Sequence, residues 1–162
     1  MTQISFRLAT ENDRDFIRQL SARVFSLYGD YDELLPNWMS LPGLITVIVT
    51  ENNHPLGFAM LEAQTKARLG SRRGELMAIA VMPEYQRRGI GSALLDHMES
   101  LALRYGLSRI QLHTARDNIL ARWFFKRAGF RVIGVRERYY PEGQQALAMI
   151  KVLEARGEPG RR

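Results

Sequence analysis

Gln86-Arg87-Arg88-Gly89-Ile90-Gly91 is the stretch on which the fold turns. An uninterrupted apolar run, Leu76 to Met82, precedes it, and an amphipathic segment, Ser92 to Tyr105, follows. A strand, a glycine-bearing basic turn and a helix therefore come in immediate succession. The first amides of a helix have no intrahelical partner, and the helix dipole makes that end partly positive. Glycines let the backbone approach a ligand closely, and two arginines add charge. The arrangement reads as a pyrophosphate cradle, with an ordinary basic helix start as the plain alternative. A dinucleotide fold needs a third glycine where this chain has Leu94, and no Gly-Lys-Ser/Thr of a Walker loop occurs. The pattern present is Q-x-x-G-x-G after a strand.

Working outward, Ile90, Leu94, Met98, Leu101 and Tyr105 form one stripe, so a helix is expected from about Gly89 to Tyr105, ended by Gly106. Ser108 to Thr114 reads as the next strand. Asn118 is a good N-cap for a helix from Ile119 to Ala128, stopped by Gly129, and Phe130 to Val135 and Ala146 to Val152 read as the last strands. Before the cradle, Ile4 to Leu8 alternates like a strand. Thr10 and Asp13 mark a helix start, and Phe16, Ile17, Leu20 and Val24 keep helical spacing. A short helix is expected around Asp32 to Met39. Leu44 to Thr50 and Leu56 to Ala63 are strands joined by Glu-Asn-Asn-His-Pro, and a basic turn, Arg68 to Gly74, leads to the strand Glu75 to Met82. The order β-α-α-β-β-β-α-β-α-β-β predicts an α/β fold, a mixed sheet with helices on both faces.

The 162 residues suit one domain with a proper core. There are no cysteines, which excludes disulfides, thiolate zinc sites and a cysteine nucleophile, and fits a reducing cytoplasm. No metal site is expected. The N-terminus lacks a signal-peptide layout, and the apolar runs are too short to span a bilayer. The net charge of +6 raises the question of nucleic acid. The basic residues are scattered, however: Lys66, Arg68, Arg72 and Arg73 in one turn, Arg87 and Arg88 in the cradle, Arg136 and Arg138 later, and arginines in a frayed tail over 154–162. They lack the aromatic interleaving of a nucleic-acid face, so that reading ranks last.

Three ordered motifs carry a resemblance. The first is Gln86 to Gly91. The second is Asn118 followed by Phe124-Phe125-Lys126-Arg127-Ala128-Gly129-Phe130, similar to N-x-x-A-x-x-x-Y-x-x-x-G-F. The third is Arg138-Tyr139-Tyr140-Pro141-Glu142-Gly143-Gln144-Gln145-Ala146-Leu147-Ala148-Met149. Together they resemble the GNAT N-acetyltransferases, nearest to the branch that acetylates protein N-termini, including the ribosomal-protein alanine acetyltransferases. The resemblance covers Ile4 to Val152. It implies a single domain over 4–153 and a mostly antiparallel sheet of about seven strands, the number the element order gives.

The resemblance also implies acetyl-coenzyme A as co-substrate and a neutral amine that attacks its thioester directly. Ile79, Ala80 and Val81 would hold the pantetheine arm through main-chain groups, where this strand splays from the next. Gln86, Arg87, Arg88, Gly89, Ile90, Gly91 and Ser92 would hold the pyrophosphate, and Asn118 would touch the arm or serve as a plain N-cap. Two residues compete as general base: Glu75, eleven residues before Gln86, and His113, five before Asn118. The branch on ribosomal alanine has a glutamate at the place of His113. The family's usual proton-donating tyrosine is replaced by Phe125, which packs beside the cofactor but donates nothing. Tyr139 and Tyr140 are left either to do that work or to wall the acceptor groove. The acceptor is expected between Tyr28 to Leu41 and the Tyr139-Tyr140 loop, near Asp30, Asp32 and Glu33.

The leading expectation is acetylation of a protein N-terminus or a lysine. Acetylation of a small amine (a polyamine, amino acid or aminoglycoside) and a coenzyme A-binding module of weak catalysis stand as alternatives. The oligomeric state is left open, a homodimer among the options.

Overall fold

A computed structural model of the chain describes residues 3–64 and 72–154. The expected basic turn over 68–71, with Lys66, and the tail beyond Glu154 lie outside the described residues. Seven strands and four helices alternate in the expected order: β1 Ile4–Leu8, α1 Arg14–Val24, α2 Tyr31–Trp38, β2 Leu44–Glu51, β3 His54–Gln64, β4 Arg73–Val81, α3 Ile90–Arg104, β5 Arg109–Ala115, α4 Ile119–Arg127, β6 Arg131–Arg136 and β7 Ala146–Val152. They form one mixed sheet in the order β1-β2-β3-β4-β5-β7-β6. All neighbours are antiparallel except β4 and β5.

Local chemistry explains the ends of the elements. Asp13 Oδ2 accepts the Thr10 N–H at 2.7 Å, so a short 3-10 turn opens α1. Asn118 Oδ1 accepts the Ala121 N–H at 3.2 Å and caps α4. Gly106 and Gly129 end α3 and α4 with φ of 75° and 97°. The β2–β3 hairpin is tighter than the five-residue joint expected. Asn52 and Asn53 alone make the turn, with φ of 49° and 64°, as a primed turn demands. His54 and Pro55 already belong to β3. Pro55 lies past the last β3–β4 pair, Gly57↔Val81, where its missing N–H costs no bond to β4.

Helices cover both faces of the sheet. On one face Ile17 and Leu20 of α1 and Leu35 of α2 pack on Ile48, Phe58, Met60 and Ala80. On the other, Leu94, Leu95 and Met98 of α3 and Phe125 of α4 pack on Val47, Ala59, Leu61, Ile110, Leu112 and Met149. Each fully buried side chain of this size contributes about 1.5–3 kcal/mol. Because both faces of β2 and β3 are covered, their cores are continuous apolar runs rather than alternating ones.

Candidate active site

The sheet opens at its centre. β4 and β5 pair over only three positions, Arg73↔Arg109, Gly74↔Ile110 and Glu75↔Gln111. Beyond Glu75 the two strands diverge, and β4 continues to Val81 paired on its β3 side alone. A bulge lies at the start of this gap: Leu61 faces Leu76 while Met60 faces Ala78, so Met77 has no partner of its own. Leu76 packs on the α3 face, Met77 and Ala78 both pack on the opposite face, and Ile79 returns to the first. Such a bulge adds local twist and re-aims the strand. Nothing in the run Leu76 to Met82 marks Met77 as different, so the sequence does not reveal the bulge.

The cradle sits at the far end of the gap. Gln86 is extended, Arg87 and Gly89 take left-handed φ of 66° and 76°, and α3 follows. The first helical bond runs from the Ala93 N–H to the Gly89 carbonyl. The amides of Ile90, Gly91 and Ser92 therefore precede it, without an intrahelical acceptor. A Cβ on Gly89 would meet nothing within 4 Å, so the turn borders open space. A Cβ on Gly91 would lie 3.4 Å from the Phe124 ring, which brings α4 close to the first turn of α3. Gln86 Nε2 donates to the Val81 carbonyl at 3.0 Å and ties the turn to the end of β4. Arg23 of α1 bonds Glu84 at 2.6 Å and holds the same turn from the other side. Arg88 lies 5.3 Å over the Tyr85 ring. The Ile90 side chain is buried in the core, so this residue offers the cradle only its amide.

Glu75 and His113 come together at the mouth of the gap. His113 lies two residues beyond Gln111, the β5 partner of Glu75, and so projects on the same face as Glu75. Its Nδ1 is 3.1 Å from Glu75 Oε1. Glu75 Oε2 accepts from Gln64 Nε2 at 3.3 Å. With the carboxylate ionised, Nδ1 carries the proton and Nε2 is the free lone pair. The Tyr139 ring stacks on the imidazole, centroids 5.0 Å apart and planes 14° apart.

Tyr139 leads into an aromatic wall. It meets Tyr140 edge-on at 4.9 Å, and Tyr140 packs against Tyr28 at 5.1 Å. Tyr140 is buried with Ala115 and Ala146, while Tyr28 and Tyr31 border the same cluster. Burial raises the phenol pKa of Tyr28, Tyr31, Tyr139 and Tyr140, and the Glu75 charge adds to the effect at Tyr139. All four phenols keep their protons at neutral pH, so they serve as donors and walls rather than bases. The loop after β6 and the start of α2 thus face each other beside the dyad, where the acceptor is expected.

Phe125 stands on the other side of the sheet. It is 6% exposed and packs edge-on against Phe124 and Phe130. Asp30 and Glu33 are exposed and Asp32 half-buried at the start of α2. A separate cavity of about 430 Å³ lies between α4 and β6, lined by Ile119, Trp123 and Val132 among others, away from the gap. Sequence reasoning missed Gln64, Arg73 and Gln111, which surround Glu75. No motif names them, because their meaning arises only when β3, β4 and β5 lie side by side.

The centre of the fold is thus a sheet split between parallel strands, with a helix N-terminus at one end of the gap and a carboxylate–imidazole pair at the other. Comparison with known proteins gives the family. The profile of the Acetyltransferase (GNAT) family matches residues 11–130, and the chain belongs to that family. An N-alpha-acetyltransferase of Saccharolobus solfataricus is 32% identical over 83 residues, 51% of this chain and 50% of that one. The [Ribosomal protein bS18]-alanine N-acetyltransferase of Escherichia coli is 36% identical over 66 residues, 41% of this chain and 45% of that one. The chain thus spans about half the length of these curated relatives. Among solved structures, Ard1 from Thermoplasma volcanium superposes with a TM-score of 0.80 at 20% identity, covering 94% of this chain and 99% of that one. The ribosomal-protein-S18-alanine N-acetyltransferase from Escherichia coli gives 0.78 at 22% identity, covering 99% and 100%. The shared fold is the seven-stranded, mostly antiparallel sheet with helices on both faces. Among the described residues, no helix is long and apolar enough to cross a membrane.

Proposed function

We propose that one domain, residues 4–153, transfers acetyl from acetyl-coenzyme A to a primary amine, with a protein or peptide N-terminus as the favoured acceptor. The observation that carries this reading is the Glu75–His113 pair, set where the β4–β5 gap meets the tyrosine-walled groove. The family supports the class of reaction. The acceptor class rests on the N-alpha-acetyltransferase among the relatives and on two structural neighbours, one a NatC complex bound to Gag peptide and CoA, the other Naa50 with a bisubstrate analogue, CoA-Ac-MVNAL.

The residues present fit the cofactor. The amides of Ile90, Gly91 and Ser92, with Arg87 and Arg88, suit a pyrophosphate, and the open space at Gly89 leaves room for it. Gln86 shapes this turn through the Val81 carbonyl. The gap-side backbone groups of Ile79, Ala80 and Val81, unpaired with β5, suit an amide-bearing arm, and Asn118, which follows β5 and caps α4, is the further candidate to touch it. Acetyl-coenzyme A, when bound, supplies the acetyl group as a thioester.

His113 Nε2 takes the proton from the incoming ammonium, directly or through water, and Glu75 holds the Nδ1 proton and offsets the imidazolium charge. Both Glu75 oxygens are already engaged, one by Gln64 and one by His113, so Glu75 orients and His113 acts as base. The task is light for an N-terminus, whose pKa of about 8 leaves roughly a tenth neutral at pH 7; a lysine near 10.4 is under a thousandth neutral. Tyr139 holds the imidazole plane, and Tyr140 with Tyr28 and Tyr31 walls the groove. Phe125 has no proton to give a departing sulfur, which keeps a second reading in view, a coenzyme A-binding module of weak catalysis.

A thiol-release assay over peptides of varied first residue, lysine-bearing peptides with blocked N-termini, polyamines and aminoglycosides separates these readings. Release with free N-terminal peptides above all others is expected. Release confined to small amines overturns the acceptor, and no release from any amine leaves the module.

A further inference from the structure

Behind Glu75 the hydrogen bonds continue, and their direction is fixed from one end. Arg73 Nε and Nη2 donate to Gln64 Oε1 at 3.1 and 2.8 Å, and Nη1 donates to Gln111 Oε1 at 2.7 Å. A guanidinium has donors and no acceptor, so both amides must turn their oxygens to it. That decides which end of Gln64 faces Glu75: the NH2 group, 3.3 Å from Oε2. An NH2 group only donates, so Oε2 accepts from it, as a carboxylate oxygen does. The contact that decides the proton of the dyad is then the one between Oε1 and Nδ1.

The placement is as specific as the polarity. Gln64 closes β3 and pairs directly with Arg73, which opens β4, and Gln111 pairs with Glu75 from β5. Gln111 is 6% exposed. The three Arg73 bonds go to neutral amides, so the cation orients them and leaves Glu75 for the imidazole. The assembly lies at the closed end of the gap, the last place where β4 and β5 are still paired.

We propose that Gln64 and Arg73 are positioning residues that set the tautomer of the dyad. They hold Glu75 as an acceptor and His113 as its Nδ1–H form, with Nε2 bare. The inference deepens the reading of His113 as base and rests on it for its catalytic consequence. A network that merely fastened three strand ends would affect melting alone.

The test is the ring 15N spectrum of the labelled chain, free of cofactor and acceptor. The chain has three histidines, so loss of one signal set in His113→Gln assigns the ring. For neutral His113 we expect a pyrrole-type Nδ1 and a pyridine-type Nε2, and in Gln64→Met and Arg73→Met a mixture of both tautomers. An Nε2–H tautomer in the native chain, or an unchanged ring spectrum in a folded Gln64→Met, overturns the proposal. Should Gln64→Met not fold by circular dichroism, Gln64→Glu keeps the length and the Arg73 contact, cannot donate when ionised, and must give the same loss. With an acceptor peptide in hand, Gln64→Met should lower kcat about tenfold and leave KM for acetyl-coenzyme A unchanged, the scale of orienting partners of a histidine. Unchanged kcat contradicts the role. Absence of any acetyl transfer would count against the proposed function only, because the tautomer result needs no turnover.

Discussion

Glu75 Oε1 and His113 Nδ1 lie 3.1 Å apart although 38 residues separate them in the chain, and their side chains are only 20% and 13% exposed. Two residues that compete as bases in the sequence are one unit in the fold. In the proposed mechanism their roles divide by geometry: each Glu75 oxygen already has a hydrogen-bond partner, and the imidazole keeps Nε2 for the amine. His113→Ala should therefore lower kcat by about 10²- to 10⁴-fold, the usual weight of a positioned base. Glu75→Gln should cost nearly as much. The introduced amide must offer its oxygen to Gln64 Nε2, which turns its NH2 toward Nδ1 and forces the proton to Nε2. Affinity for acetyl-coenzyme A, read by calorimetry, should be unchanged in both. A Glu75→Gln enzyme with native turnover would remove the dyad from the mechanism.

The cradle makes a prediction independent of the acceptor. At about 100 times its Kd a ligand stabilises the native state by about 2.7 kcal/mol. For a chain of this size that raises Tm by several degrees. Acetyl-coenzyme A should produce this shift. Gly89→Val should fold, since its Cβ points into open space, yet it strains a backbone at φ 76° and fills the approach to the α3 amides. Its melting curve should be the same with and without ligand. A native chain that shows no shift would refute the cofactor assignment.

The element order was legible because each boundary carries its own chemistry: Asn118 as a cap, Gly106 and Gly129 as stops, the hairpin signal Glu-Asn-Asn-His-Pro (though not its true length), and the period of Ile90, Leu94 and Met98. The turn from Gln86 to Gly91 and the helix start after it were legible for the same reason, being local and contiguous. The β4 bulge was not, because Met77 resembles its neighbours and only pairing with β3 shows that it is unopposed. Nor was the union of Glu75 with His113, which depends on the two parallel strands staying paired as far as Glu75↔Gln111. Gln64 and Arg73 flank residues with no pattern, and their roles come from hydrogen bonds across three strands. Long-range pairing carries chemistry that spacing along one chain does not encode.

Phe125 is the departure that rates can assess. It lies in a cluster with Phe124 and Phe130, with centroids 5.2 and 5.8 Å away, on the opposite sheet face from the dyad. Phe125→Tyr adds a hydroxyl to this apolar setting, at a cost of about 1–3 kcal/mol where it finds no partner. A coenzyme A thiolate is a tolerable leaving group, so kcat should change less than about threefold while Tm falls by a few degrees. A large gain in kcat, measured across pH, would mean that protonation of the departing sulfur limits turnover in the native chain.

Asp13 links the frame of the proposed acceptor groove to pH. Its carboxylate takes two bonds from Arg7, at 2.7 and 2.8 Å, and one from the Thr10 N–H at 2.7 Å, and so pins the start of α1 to the end of β1. These contacts, with the Arg7 hydrogen bonds foremost, hold the Asp13 carboxyl below its ordinary pKa against the opposing effect of burial. A carboxyl depressed in the folded state stabilises fully above its unfolded value, about 3.9, and the contribution fades as pH falls through the folded value. Asp13→Asn should then cost about 1–2 kcal/mol at pH 7, discounted because Arg7 is 44% exposed and screened. The difference between mutant and native urea midpoints should shrink steadily below pH 4. Since α1 packs on α2, which forms one side of the groove, the same loss should loosen Tyr31 and raise the KM of an acceptor more than that of acetyl-coenzyme A. A constant midpoint difference from pH 7 to pH 3 would show that the charge on Asp13 has no part in holding α1.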